Sequence, residues 1–143
     1  MNAAAPSPLE LIGVKYWAGG ATPADGFDCW TLVQWVRLQY FGLDTPDVFY
    51  YDRFRMRAVR TIEAAKASGE WVQVDAPGPP GAVVGMAQAR RRRLHHVGVS
   101  LGAAGVLHAW CGMFIRSPGS VILTPWPRLV ERFPTVEVYE WRG

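Results

Sequence analysis

The half of the chain after Trp71 contains only short apolar runs, and glycine and proline punctuate them closely. Trp71 to Val74, Ala82 to Met86, His95 to Leu101, Val106 to Trp110, Val121 to Thr124 and Val136 to Trp141 each have strand length and no room for a long helix. The rigid Pro77-Gly78-Pro79-Pro80-Gly81 segment is a turn leading into the second run. Gly102-Ala103-Ala104-Gly105 joins the third run to the fourth as a hairpin. The first half reads differently. Leu9 to Val14 is expected as a short helix, and Lys15 to Phe27 as a glycine-rich loop with tight turns. From Cys29 the apolar residues Leu32, Val33, Trp35, Val36 and Tyr40 recur at helical spacing, with Asp28 as N-cap and Gly42 as stop. Asp44 to Asp52 is expected as a loop, and Phe54 to Ser68 as a second helix ended by Gly69. Helices first and an antiparallel meander afterwards predict an α+β fold.

The 143 residues fit one domain, with residues 1–8 as a loose leader. An apolar share of 50% with 19% charged residues is a globular composition. The net charge of +3 is too small to argue for nucleic acid, and much of the excess lies in the run Arg90 to Arg93, read as a solvated loop. Two cysteines make no disulfide framework. The first residues carry no basic region followed by an apolar one, and no run is long enough for a membrane span. Action outside the cytoplasm would then need delivery by something other than a standard leader.

Three residues carry chemistry. Cys29 would sit in the first turn of its helix, where the dipole favours a thiolate. His96 and His108 lie on the two strands of the hairpin. With a three-residue loop of Gly102 to Ala104, His108 falls opposite Gly98 and diagonal to His96, within side-chain reach. A cysteine nucleophile needs a base, and the base needs an orienting group, so the three suffice for thiol hydrolysis. His95 points to the other face and is read as structural or surface, and Cys111 as a small apolar residue. A zinc site from Cys29, His96, His108 and Cys111 is the competing reading, because the ligand types are right although the spacings match no standard finger.

These residues resemble a known family. Leu11-Ile12-Gly13-Val14-Lys15-Tyr16-Trp17-Ala18-Gly19-Gly20, Pro23 and Phe27-Asp28-Cys29, followed by Pro80-Gly81-Ala82-Val83-Val84, His96-Val97-Gly98-Val99 and Leu107-His108-Ala109, resemble the ordered motifs of the NlpC/p-sixty cysteine peptidases. The resemblance implies a papain-like α+β domain, with N-terminal helices packed on a central antiparallel sheet and the nucleophile at a helix N-terminus. It implies cleavage of peptidoglycan stem peptides, most often between D-glutamate and a diamino acid, without a cofactor or metal. It makes Cys29 the nucleophile, His96 the base and His108 its orienting partner. Tyr16, Asp28 and Trp30 would line the substrate or oxyanion side. Trp30-Thr31 stands where family members commonly have Ser-Gly, and Ala82 where an aspartate is usual. The Asp-Cys-Trp version is similar to the small members carried on phage tails, prophage particles and gene-transfer particles. It implies tail-tip or baseplate proteins as partners, and action on the cell wall after synthesis in the host cytoplasm. A retained but idle hydrolase fold serving as a structural tail component is the alternative.

Overall fold

The structure, a computed structural model, describes residues 6–45, 63–88, 93–111 and 119–142. A 3-10 turn at Pro8–Leu11 replaces the helix expected from Leu9 to Val14. The glycine-rich stretch folds into a small two-stranded sheet of β1 (Ala21–Thr22) and β2 (Gly26–Phe27). Helix α1 (Cys29–Phe41) then runs to Gly42. Strands β3 (Trp71–Val74), β4 (Val83–Ala87), β5 (His96–Ser100), β6 (Val106–Trp110) and β7 (Ser120–Thr124) follow. Helix α2 (Trp126–Arg132) and strand β8 (Thr135–Trp141) close the chain. Residues 63–67 are helical, while the rest of the helix expected from Phe54, most of the Asp44 to Asp52 loop and Arg90 to Arg92 lie outside the described residues.

Both ends of α1 follow from its sequence. Asp28 accepts from the backbone N–H of Trp30 and Thr31, and Thr31 returns a bond to the Asp28 backbone, so the first-turn donors are satisfied reciprocally. Gly42 takes a left-handed conformation at φ 62° and directs its N–H to the carbonyls of Arg37 and Leu38, which ends the helix. Arg37 is buried, but its guanidinium donates to the carbonyls of Gly81 and Asp44 and to Thr45 Oγ1, so the charge is not left unsolvated.

All pairings in the six-stranded sheet are antiparallel, in the order β3-β8-β4-β5-β6-β7. The expected meander holds for β4 to β7 only. Strand β8 returns from the C-terminal end and inserts between β3 and β4. It carries apolar side chains on both of its faces, so an interior position buries both. On one face of the sheet, Leu32, Val33 and Val36 of α1 pack with Val97, Val99, Leu107 and Ala109. On the other, Val84, Met86, Val106 and Val138 pack with Leu129 of α2 and Phe133. Each aliphatic side chain so buried contributes about 1.5–3 kcal/mol. The second layer explains why β4 and β5 are buried along their whole length and do not alternate with polar residues.

The hairpin has the register expected from the three-residue loop. Val99 pairs with Leu107 and Ser100 with Val106, and Leu101 N donates to Gly105 O. That register brings His108 beside Gly98. A Cβ on residue 98 would come within 2.9 Å of His108 Cβ and 2.7 Å of Val106 Cγ1, so glycine is required by close approach. Gly98→Ala should destabilise the domain by about 1–3 kcal/mol through overpacking, and thermal unfolding measures this. Wild-type stability in the alanine variant would contradict the packing described.

Candidate active site

The segment before α1 brings the nucleophile to the sheet. Tyr16 forms a parallel bridge with Phe27, Phe27 N donates to Lys15 O, and Trp17 N donates to Phe27 O. On its other edge the same segment joins β7: Lys15 bridges Ser120, and Tyr16 N donates to Gly119 O. Ser120 pairs in turn with Trp110, whose ring lies 5.1 Å from that of His96. Backbone pairing thus runs from the start of α1 to Trp110 on β6, and a ring contact completes the path to His96.

Cys29 is the first residue of α1 and is 6% exposed. Asp28 fixes that helix start to the glycine loop, because its second carboxylate oxygen accepts from Gly19 N at 3.1 Å. The Tyr16 hydroxyl lies within reach of charge on Cys29, Cys111 and Asp28. Its pKa is raised above the phenol range, by burial first and then by those neighbours. Tyr16 therefore stays protonated, which leaves an O–H donor on the cysteine side of the site.

The histidines form the other half. His96 Nε2 and His108 Nδ1 are 2.8 Å apart, and His108 Nε2 and Thr124 Oγ1 are also 2.8 Å apart. Both rings sit in an aromatic cage. His96 stacks on Phe133 at 5.7 Å and meets Trp110 edge-on, while His108 packs edge-on against both of these rings. The cage fixes ring orientation and keeps the contacts dry, where hydrogen bonds are stronger. Burial, and then the charge of Arg132, lowers the His108 pKa from 6.5 to about 4. At neutral pH His108 is therefore an uncharged imidazole with a single N–H.

That neutrality fixes the direction of the hydrogen bonds when His96 is doubly protonated. An imidazolium at His96 must donate from Nε2, so His108 accepts at Nδ1 and donates from Nε2 to the Thr124 hydroxyl. His96 Nδ1 is then the nitrogen left for proton exchange with a nucleophile. The arrangement supplies a thiol at a helix start, a base with fixed tautomer and an uncharged orienting partner, the set a thiol hydrolase needs.

The structure brings together His96 and His108, and it sets Tyr16 within the electrostatic reach of Cys29. Two residues expected on the substrate side have other work. Trp30 is 6% exposed and packs edge-on against Trp71 in the core, because it lies on the helix face, with Val33 and Arg37, that turns inward. The Asp28 carboxylate is taken up by backbone N–H groups and positions the helix start. His95 accepts from Gln88 N and stays out of the cage, as its strand face implied. Thr124, Trp110 and Phe133 complete the site and carry no local motif; for Thr124 the available signal is its alternation with Ile122 on β7. Among the described residues, no three His, Cys, Asp or Glu side chains converge as a metal-binding group.

Residues 13–120 match the model of the NlpC/P60 family. The chain is 36% identical over 102 residues to the gamma-DL-glutamyl hydrolase of Bacillus subtilis (strain 168), an alignment covering 70% of the chain and 21% of that protein. It thus spans about a fifth of the length of this curated relative. Its fold is similar to the NlpC/p60 domain of the peptidoglycan hydrolase SagA, with a TM-score of 0.53 at 19% identity, covering 92% of this chain and 91% of that one. It is also similar to an NLP/P60 family protein related to lipoproteins from Staphylococcus aureus subsp. aureus Mu50, with a TM-score of 0.53 at 18% identity, covering 91% and 38%. At these identities the two structures speak for the fold, an α+β papain-like sheet and helix, while the match along residues 13–120 carries the family: the chain belongs to NlpC/P60.

Proposed function

We propose that this domain is a peptidoglycan hydrolase that cuts stem-peptide bonds through a Cys29-His96-His108 thiol mechanism. The observation that carries the reading is the caged His96–His108 contact at the end of the sheet to which the Cys29 segment is bonded. The name of the gamma-DL-glutamyl hydrolase relative supports hydrolysis at a glutamyl γ-linkage.

In this reading the Cys29 thiolate attacks the scissile carbonyl. The backbone N–H of Cys29 and the Tyr16 hydroxyl serve the developing oxyanion. The C–N bond breaks as His96 donates its proton to the leaving amine. Water then gives a proton to His96, attacks the thioester and releases the acid and the Cys29 thiolate. His108 takes no proton in this cycle. It holds the His96 ring and accepts the bond that stabilises its charged form, as the third member of a triad does.

The bond proposed is that between D-glutamate and a diamino acid. Two synthetic stem peptides test it, one γ-linked through D-glutamate and one α-linked through L-glutamate. Cleavage of the γ-linked peptide at that bond is expected, and cleavage of the α-linked peptide alone would contradict it. Cys111→Ala should leave the rate within about twofold, because Cys111 is exposed at the end of β6 and has no step assigned. Loss of activity in that variant would favour a second sulfur in the chemistry.

We further propose that the domain is carried on the tail tip or baseplate of a phage-like particle and reaches the wall there. The Asp28-Cys29-Trp30 sequence supports this, as the version similar to particle-borne members. No helix among the described residues is long and apolar enough to cross a membrane. Mass spectrometry of purified particles should find the chain, and its absence from them would reject the proposal. The alternative of an idle tail component is disfavoured by the full Cys-His-His set.

A further inference from the structure

We propose that the cavity between β7 and α2 is a binding site for a phosphate group, placed at the far end of the histidine chain. The cavity measures about 470 Å³, and Thr124, Arg128, Glu131 and Arg132 line its polar part. This inference rests on the reading of His96 and His108 as the working pair.

Hydrogen-bond direction is the first argument. When His96 is an imidazolium and His108 is neutral, His108 accepts from His96 and its Nε2–H donates to Thr124 Oγ1. The Thr124 hydroxyl then has its own proton to give. Thr124 is 7% exposed, and its side chain has no other partner among the described residues. A buried hydroxyl proton needs an acceptor, and the space this residue lines is the cavity.

Charge is the second. Arg128 and Arg132 stand four residues apart on α2, so their charges share one side of the helix, an arrangement that destabilises a helix by a few tenths of a kcal/mol. Neither guanidinium is in an ion pair or a side-chain hydrogen bond among the described residues. Glu131 lowers the local charge from two positive to one and leaves it positive. Two arginines and one threonine lining a common space match a tetrahedral oxyanion. The volume exceeds that of one free ion, so the group can belong to a larger molecule.

Occupancy would act on the site. Among the described residues, the charged and titratable groups that act on His108 are His96 on β5 and Arg132 on α2. An anion beside Arg132 offsets the charge that lowers His108, and by accepting from Thr124 it extends the chain that begins at His96. The site would then report the presence of phosphate to the catalytic pair.

The test follows the three histidine ring signals of the full-length protein by NMR at constant ionic strength, during titration with inorganic phosphate and, separately, with soluble poly(glycerol phosphate). A saturable change at His108, with its titration midpoint moved upward from about 4, is expected. Arg128→Gln and Arg132→Gln should each weaken binding about tenfold. Both residues are exposed, so these variants keep the fold. Arg142→Gln, which removes a charge paired with Glu140 away from the cavity, should bind as wild type does. Thr124→Ser should keep the His108 response and Thr124→Val should lose it. Response to the polymer as well as to the free ion supports a phosphodiester source, and response to the free ion alone supports inorganic phosphate. No saturable change with either probe, or equal weakening in Arg142→Gln, overturns the proposal. The titration needs no turnover, so failure of the hydrolase reading and failure of this site are separate results.

Discussion

Cys29→Ala is expected to lower stem-peptide cleavage by about 10⁴-fold or more, while thermal unfolding shifts by about 1 kcal/mol or less. The two effects separate because of where Cys29 sits. It is the first residue of α1, and the helix start is held by Asp28, through Gly19, Trp30 and Thr31. The chemistry has no substitute for the sulfur. His96→Ala should be nearly as severe, and the double variant no worse than either single one, since nucleophile and base act as a unit. Additive losses, or a Cys29→Ala variant that retains even a tenth of the rate, would mean that the thiol is not the nucleophile.

Acidification should destabilise the fold through His108. Its folded pKa is about 4 against the ordinary 6.5, lowered by burial and by Arg132. As pH falls, the unfolded chain takes up this proton first. The contribution is therefore complete above about 6.5, declines between about 6.5 and about 4, and is flat below. The gap corresponds to about 3 kcal/mol. Urea unfolding of wild type and His108→Gln near pH 7 and near pH 4 isolates this contribution, because the carboxylates titrate in both proteins. Wild type should lose about 3 kcal/mol more than the variant over that interval. Equal losses would show that His108 is not buried as a neutral ring.

The parts of this molecule legible in the sequence are those set by neighbours in the chain. Asp28 and Gly42 mark the ends of α1 because capping and left-handed termination are local chemistry. The pairing of β5 with β6 follows from a three-residue loop, which fixes parity and so puts His96 and His108 on one face. Insertion of β8 between β3 and β4 was not legible, because those pairings join residues roughly fifty to seventy positions apart. Helix α2 escaped as well. It has seven residues, no side-chain cap and a proline in its first turn. With it went the second layer, and so the cage of Trp110 and Phe133 and the link to Thr124. Packing of Trp30 against Trp71 was not legible either, because that contact joins residues far apart in the chain.

Digestion of purified peptidoglycan sacculi by the wild-type protein, with every soluble product identified by mass, tests the central claim most directly. Release of cut stem peptides with intact sugar strands, absent when Cys29→Ala protein is used, is the result this account predicts. Cut sugar strands with whole stems, or the same cut stems from the Cys29→Ala protein, would contradict it.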